Sequence, residues 1–379
     1  MEPPAKKLRP YVTKFQRRKA EEIEGKTGSE ANNVNHNESE ERNDVKELFI
    51  SDETVLDYDD RVYRSVLPRK VARASRISKS PVWCLRWCPK FSHLLSTCSD
   101  DAVKLYDVMK NEKIKLVRTL HHSSPVKHCD WSRSSRQLLT STFSGNVNVF
   151  DFLNQGTISN KLKVDEQLSV GKWWKGDDNM VLLGGENSFL ASFDMRTGKE
   201  ACKYKFKSGK ILSFDFLSGS TSFIASSDLV NRQSAEHNLI VWDLRTGAKL
   251  SSQIYHERYT CPYVVVHPSG ANILAQTTGN YIARFSSQKP YRLDKFVRYQ
   301  NHTVNQYPVA FDTTKDGHFV ISGSSNGTVV CYKHNNGNYM RTVPLLVKDE
   351  VSCVDVQCHP VIPGMVAVGD WDGTLHVLT

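Results

Sequence analysis

Two neighbouring turns in this chain of 379 residues carry side chains suited to holding a partner. Phe193-Asp194-Met195-Arg196 and Trp242-Asp243-Leu244-Arg245 each end an apolar run, and each is followed by Thr-Gly. An Asp in such a bend accepts turn amides, and Thr-Gly completes the bend. Trp242 and its counterpart Phe193 belong to the core. Arg196 and Arg245 are left over, and a guanidinium offers a planar fork of N–H donors to a carboxylate or carbonyl of another protein. Trp371, Arg86 and Arg292 join them as candidate partner-binding residues, because Trp and Arg dominate interface hot spots.

Signals for catalysis or metal binding are sparse. The chain has no GxxxxGK[ST], HExxH or DxDxDG stretch, the signatures of nucleotide hydrolysis, zinc proteolysis and calcium binding. Its nine cysteines, at 84, 88, 98, 129, 202, 261, 331, 353 and 358, include no CxxC pair and lie mostly in apolar, strand-like segments. They read as buried, reduced thiols. Cys353, Cys358 and His359 would need further ligands from elsewhere to hold zinc, and packing accounts for them more simply. No metal and no cofactor are expected, and the chain reads as a non-enzyme.

Composition narrows the class. A content of 39% hydrophobic and 24% charged residues is that of a soluble globular protein, and no apolar run approaches the roughly 20 residues that span a bilayer. The start, MEPPAKKLRP, lacks the apolar core of a secretory signal, which places the chain in the nucleus or the cytoplasm with no membrane partner. Residues 6–19 hold seven Lys or Arg and no acid, whereas residues 21–60 hold fourteen acids. The basic start fits a nuclear localisation signal, an RNA contact or a solvated tail. Residues 1–65 are expected to be a disordered, charged tail, having too few large apolar groups to offset the entropy of ordering.

From Ser80 onward a unit repeats. Short alternating runs separated by turns end at positions 106, 150, 193, 242, 285, 332 and 378, with spacings of 43 to 49 residues. That period, with four-to-seven-residue strands, predicts an all-β, seven-bladed propeller over residues 66–379. The last unit stops after its third strand, so residues 68–76 are expected to supply the outer strand of the closing blade, with Val71 facing inward. The fourth unit carries a longer loop, SSDLVNRQSAEH, which is either a binding feature or a tolerated insertion.

Other positions then acquire structural roles. Asp107, Asp151, Asp194 and Asp243 close third strands, and Asp100 and Asp372 sit in the turns before them. A His preceding a first strand, an acid in that turn and an aromatic ending the third strand form a hydrogen-bonded relay that fixes a blade. His121, His122, His256 and His302 are so placed, while in the other five units the corresponding position holds Ser144, Asn187, Glu236, Gly279 and Asn326, so the relay is degenerate. Adjacent Trp173 and Trp174 must face opposite ways on a strand. Lys289, Arg292, Lys295 and Arg298, with Tyr291 and Phe296 between them, are either an RNA-contacting stretch or a solvated connector.

The aromatic-Asp endings, Asp-containing turns and blade-sized period resemble the WD-repeat family over residues 80–379. IYHERYTCP, HPSGANILAQTTGNYIARFSSQKPYR and CHPVIPGMVAVGDWDG are similar to a branch of that family that includes a splicing factor of the second catalytic step. The resemblance implies a seven-bladed WD40 propeller acting as a non-enzymatic scaffold, a monomer within a complex, with spliceosomal components among its partners. Arg196 and Arg245 on adjacent units also resemble the double WDxR motif of cullin-4 ligase substrate receptors. That likeness implies a ligase adaptor as the alternative partner.

Overall fold

In the computed structural model, residues 64–379 are described apart from 110–112, 155, 207–208, 220, 229–237, 253, 258, 306–307 and 346–350. Residues 1–63 of the charged tail, most of the long loop of the fourth unit and Glu236 lie outside the described residues. Among the described residues there are seven antiparallel sheets of four strands each. Blades one to six are consecutive meanders over residues 84–121, 126–163, 168–203, 211–251, 263–299 and 311–344. Blade seven takes three strands from residues 353–378 and one from Val71–Arg76. No helix among the described residues is long and apolar enough to cross a membrane.

Burial explains why each unit forms these strands. The second strand of blade one, Leu94–Ser99, is buried at every position, whereas the outermost strand of blade two, Thr157–Lys163, is mostly exposed. Continuous apolar runs therefore occupy the middle of each blade, and half-polar runs occupy its rim. Blades bury their faces against one another. Cys84, Leu94 and Val103 of blade one pack with Cys129, Trp131 and Leu138 of blade two. Val170 and Leu182 of blade three pack with Phe214 and Trp242 of blade four.

The ring closes through Val71–Arg76, which pairs antiparallel with Thr374–Leu378. Arg69 N and Lys70 N donate to the Thr379 carbonyl at 2.8 and 3.2 Å. Half-buried Val71 packs against Leu378 and Val366. The last blade thus has no open outer edge at its third strand, which would otherwise present unpaired backbone groups.

The histidine relays use partners other than turn acids. His302 lies between Gln276 of the preceding blade at 2.6 Å and the Tyr332 hydroxyl at 2.7 Å, joining blades five and six. His122 meets Thr140 Oγ1 at 2.9 Å and the Leu120 carbonyl at 3.0 Å. In blade seven the buried carboxylate is Asp370 rather than exposed Asp372, and it holds His376 at 2.9 Å and the Thr374 amide at 2.7 Å. Asp100 is also exposed, and it accepts a hydrogen bond from Ser78 Oγ at 3.0 Å. The strand ends at buried Asp370, and Asp372 lies in the solvated turn that follows it.

Candidate interaction site at the channel mouth

The first strand of each blade lines a central channel. In four of these strands the register slips by one residue, between Val126 and His128, Leu168 and Val170, Ile211 and Ser213, and Cys353 and Asp355. A bulge of this kind re-aims the extra side chain. The extra residues are Lys127, Ser169, Leu212 and Val354, and all four line a cavity of ≈ 300 Å3 walled by blades one to five and seven and by Pro308 and Ala310, which lead into blade six.

Charged side chains brace the channel wall. Arg86 Nη1 lies 3.0 Å from Asp355 Oδ2, and Arg86 Nη2 lies 2.8 Å from His128 Nε2. Lys172 Nζ lies 3.5 Å from Asp215 Oδ1. Four carboxylates also accept an amide from the blade that follows. Asp130 takes Trp173 N at 2.9 Å, Asp215 takes Val266 N at 2.7 Å, Asp312 takes Cys358 N at 2.8 Å and Asp355 takes Leu85 N at 2.8 Å. Each bond ties neighbouring blades where backbone ladders cannot.

The environment sets the charge of these groups. Burial pushes Asp312 and Asp355 up to about 6, so both are ionised at neutral pH. Burial alone would lower Arg86, but Cys84, Tyr263, Asp355 and Asp130 outweigh it and hold the guanidinium well above its ordinary value. Burial would likewise raise the Cys84 thiol. Hydrogen bonds with Cys129 and Cys98 and the charges of Arg86 and His128 bring it well below the usual thiol range.

At the mouth, half-buried Trp83 and Trp371 meet edge to face, with ring centroids 5.5 Å apart. Lys127 Nζ sits 3.4 Å from the Trp83 ring centroid. Lys210 lies on the same cavity wall and pairs with Glu186 at 2.7 Å. Burial, with Lys210 adding repulsion, lowers the pKa of Lys127. Aromatic edges beside two ammonium groups suit an acidic segment of a partner protein that also brings an apolar side chain.

Of the residues singled out in the sequence, Trp371 reaches this mouth. Arg86 is in the channel wall and largely enclosed, because its strand position points inward. Arg196 is exposed and turns back on its own Asp194 at 3.5 Å. Exposed Arg245 lies over the Trp174 ring at 5.8 Å, so Trp174 meets the next blade while Trp173 is core. Arg292 is exposed on the outer side of blade five. In that stretch Tyr291 is buried, and Arg298 covers the Tyr281 ring at 4.6 Å and pairs with Glu257 at 2.5 Å. Lys289, Lys295 and Phe296 remain exposed, the Phe almost fully.

The blade residues share one local device. Asp107, Asp151, Asp194 and Asp243 each accept the amide two residues ahead, from Met109, Leu153, Arg196 and Arg245, at 2.8 to 3.1 Å. Trp242 is buried against Tyr204 and Phe206. Cys353, Cys358 and His359 do not assemble. His359 Nε2 meets the Ser92 carbonyl at 2.9 Å, while Nδ1 accepts the Val361 and Ile362 amides at 3.0 and 2.7 Å. A GxSxG spelling at Gly323–Gly327 is a hairpin turn of blade six, where Ser325 Oγ accepts the Asn305 amide at 2.9 Å. It lacks the strand-to-helix elbow of a hydrolase nucleophile.

Sequence reasoning missed Trp83, Lys127, Lys210 and the four bracing aspartates. The aspartates carry a signal, a lone Asp directly after an apolar residue in HCDW, SFDF, AFDT and CVDV. Lys127 carries none, since its direction is set by the bulge.

Comparison with known proteins agrees with this architecture. The family described as WD domain, G-beta repeat matches residues 73–107 and 114–151. The chain is 34% identical to WD repeat-containing protein 25 of Mus musculus, over 86% of its own length and 61% of that protein's. It is 21% identical to pre-mRNA-processing factor 17 of Saccharomyces cerevisiae, over 83% of its own length and 68% of the relative's. For the Homo sapiens factor the identity is 24%, over 82% of this chain and 52% of the relative. With seven four-stranded blades the chain is a β-propeller; it carries WD repeats over the matched residues and is similar to these proteins, spanning 61% of the length of the first.

Proposed function

We propose that this propeller is a non-enzymatic scaffold in a nuclear pre-mRNA-processing assembly and that it receives an acidic partner segment at the channel mouth. The observation that carries the assembly is the likeness to two pre-mRNA-processing factors, which runs along most of the propeller rather than through a repeat or two. A shared fold alone would not support a shared assembly. The mouth supports the docking part: Trp83, Trp371, Lys127 and Lys210 put aromatic surface and positive charge on one rim.

Affinity purification of the intact chain from nuclear extract, with and without ribonuclease, tests this reading. The expected result is capture of pre-mRNA-processing proteins that survives ribonuclease and is lost in Lys127→Glu/Lys210→Glu. Capture lost on ribonuclease treatment would replace the protein partner with RNA. Enrichment of a cullin-4 ligase adaptor without processing proteins would overturn the proposal in favour of the Arg196 and Arg245 turns.

A further inference from the structure

Cys84, Cys98 and Cys129 come from three different strands of two blades, and their sulfurs all lie within 4.8 Å of one another. Cys84 and Cys98 are direct partners across the first two strands of blade one. Cys129, on the first strand of blade two, completes the triangle. All three are buried. A tetrahedral ion with metal–sulfur bonds of about 2.3 Å sets its sulfurs roughly 3.8 Å apart, so small side-chain rotations would bring these thiols to ligand spacing.

The surroundings supply what a metal site needs. Cys84 lines the channel cavity together with Arg86 and His128, which gives an ion a path from the mouth. His128 Nε2 faces Arg86 at 2.8 Å, and its buried Nδ1 has no hydrogen-bond partner. On the other side, Ser96 Oγ lies 3.4 Å from Cys129 Sγ and is held by Trp131 Nε1 at 3.1 Å. Such outer hydrogen bonds fix the orientation of a ligating sulfur.

We propose that Cys84, Cys98 and Cys129 form a binding site for a soft or borderline-soft d10 cation of the zinc type. Thiolate ligands select such ions over magnesium or calcium. Binding breaks each remaining S–H bond and forms three metal–sulfur bonds. The protons leave through the channel, and no electrons are transferred. A divalent ion with three thiolates carries one net negative charge, and Arg86 is a buried cation on the same cavity wall.

The test uses the full chain, purified reduced and metal-free, and titrated with Co2+ and then with Zn2+. A thiolate-to-cobalt charge-transfer band should saturate at an equimolar ratio and be bleached by Zn2+. Zn2+ but not Mg2+ should raise the melting temperature, because it binds the folded state. Cys98→Ser and Cys129→Ser should lose the band, and Cys353→Ser, whose thiol lies in blade seven, should keep it. Absence of both the band and the Zn2+-dependent melting shift in the unaltered chain would overturn the proposal, whether or not the variants fold. So would a band that persists in Cys98→Ser and Cys129→Ser.

Discussion

Arg86 and Asp355, 269 residues apart in the chain, meet at 3.0 Å where blade one adjoins blade seven. The same carboxylate also accepts the Leu85 amide at 2.8 Å, so it joins the ring on the channel side as the Val71–Arg76 strand joins it on the rim. Removing one partner strands a buried charge. Asp355→Ala should therefore cost on the order of 3–5 kcal/mol in urea unfolding. In Arg86→Met/Asp355→Leu both charges are gone, and the loss should fall well short of the sum of the single variants. A strictly additive cycle would show that the pair is not coupled.

The outer closure can be tested separately. Deleting residues 66–79 removes Val71–Arg76 and exposes the edge of Thr374–Leu378. The melting temperature should drop for the whole ring in one transition, since blades stacked in a closed circle share their interfaces. An unchanged melt would mean that this strand contributes nothing to closure.

How much of this was legible depends on whether one residue or several strands decide a feature. The blade count follows from the spacing of Tyr106, Phe150, Phe193 and Trp242 and their successors, because strand alternation is written in single residues. The capping role of Asp107, Asp151, Asp194 and Asp243 is local in the same way. The mouth is not local. Lys127 enters it through a bulge, and Trp83 meets Trp371, 288 positions further along the chain. Arg86 shows the opposite error: a residue type suited to partners turned out to face the channel, where Asp355 and His128 occupy it.

Trp242 and Arg245, neighbours in one turn, should respond very differently. Trp242 is buried between Tyr204 and Phe206, and Trp242→Ala should cost on the order of 3–5 kcal/mol. Its buried Nε1 has no hydrogen-bond partner, so Trp242→Phe forfeits no bond and should be much milder. Arg245 is exposed over the Trp174 ring, and Arg245→Ala should cost about 1 kcal/mol or less. Denaturant midpoints of the three variants give the comparison. A large loss from Arg245→Ala would make that stacking a main support of the junction between blades three and four.

Acid should destabilise the ring through its buried histidines. Burial lowers His302, His334 and His359 from the ordinary 6.5 to about 4, with His267 and Arg284 adding to the effect at His334. Between those values the unfolded chain binds protons that the folded chain does not, so stability falls as pH drops from 6.5 towards 4. Asp312 and Asp355 act with the opposite sign, since burial raises them from 3.8 to about 6 and the folded state holds their protons in that interval. Burial also lowers His122 and His267 and raises Asp130, so the lowered histidines outnumber the raised carboxylates and unfolding takes up protons. His302→Gln removes one histidine from that side. The acid slope of stability between pH 4 and 6 should then shrink by about 1.4 kcal/mol per pH unit relative to the unaltered chain, measured by urea unfolding at each pH. An unchanged slope would show that His302 is not held neutral between Gln276 and Tyr332.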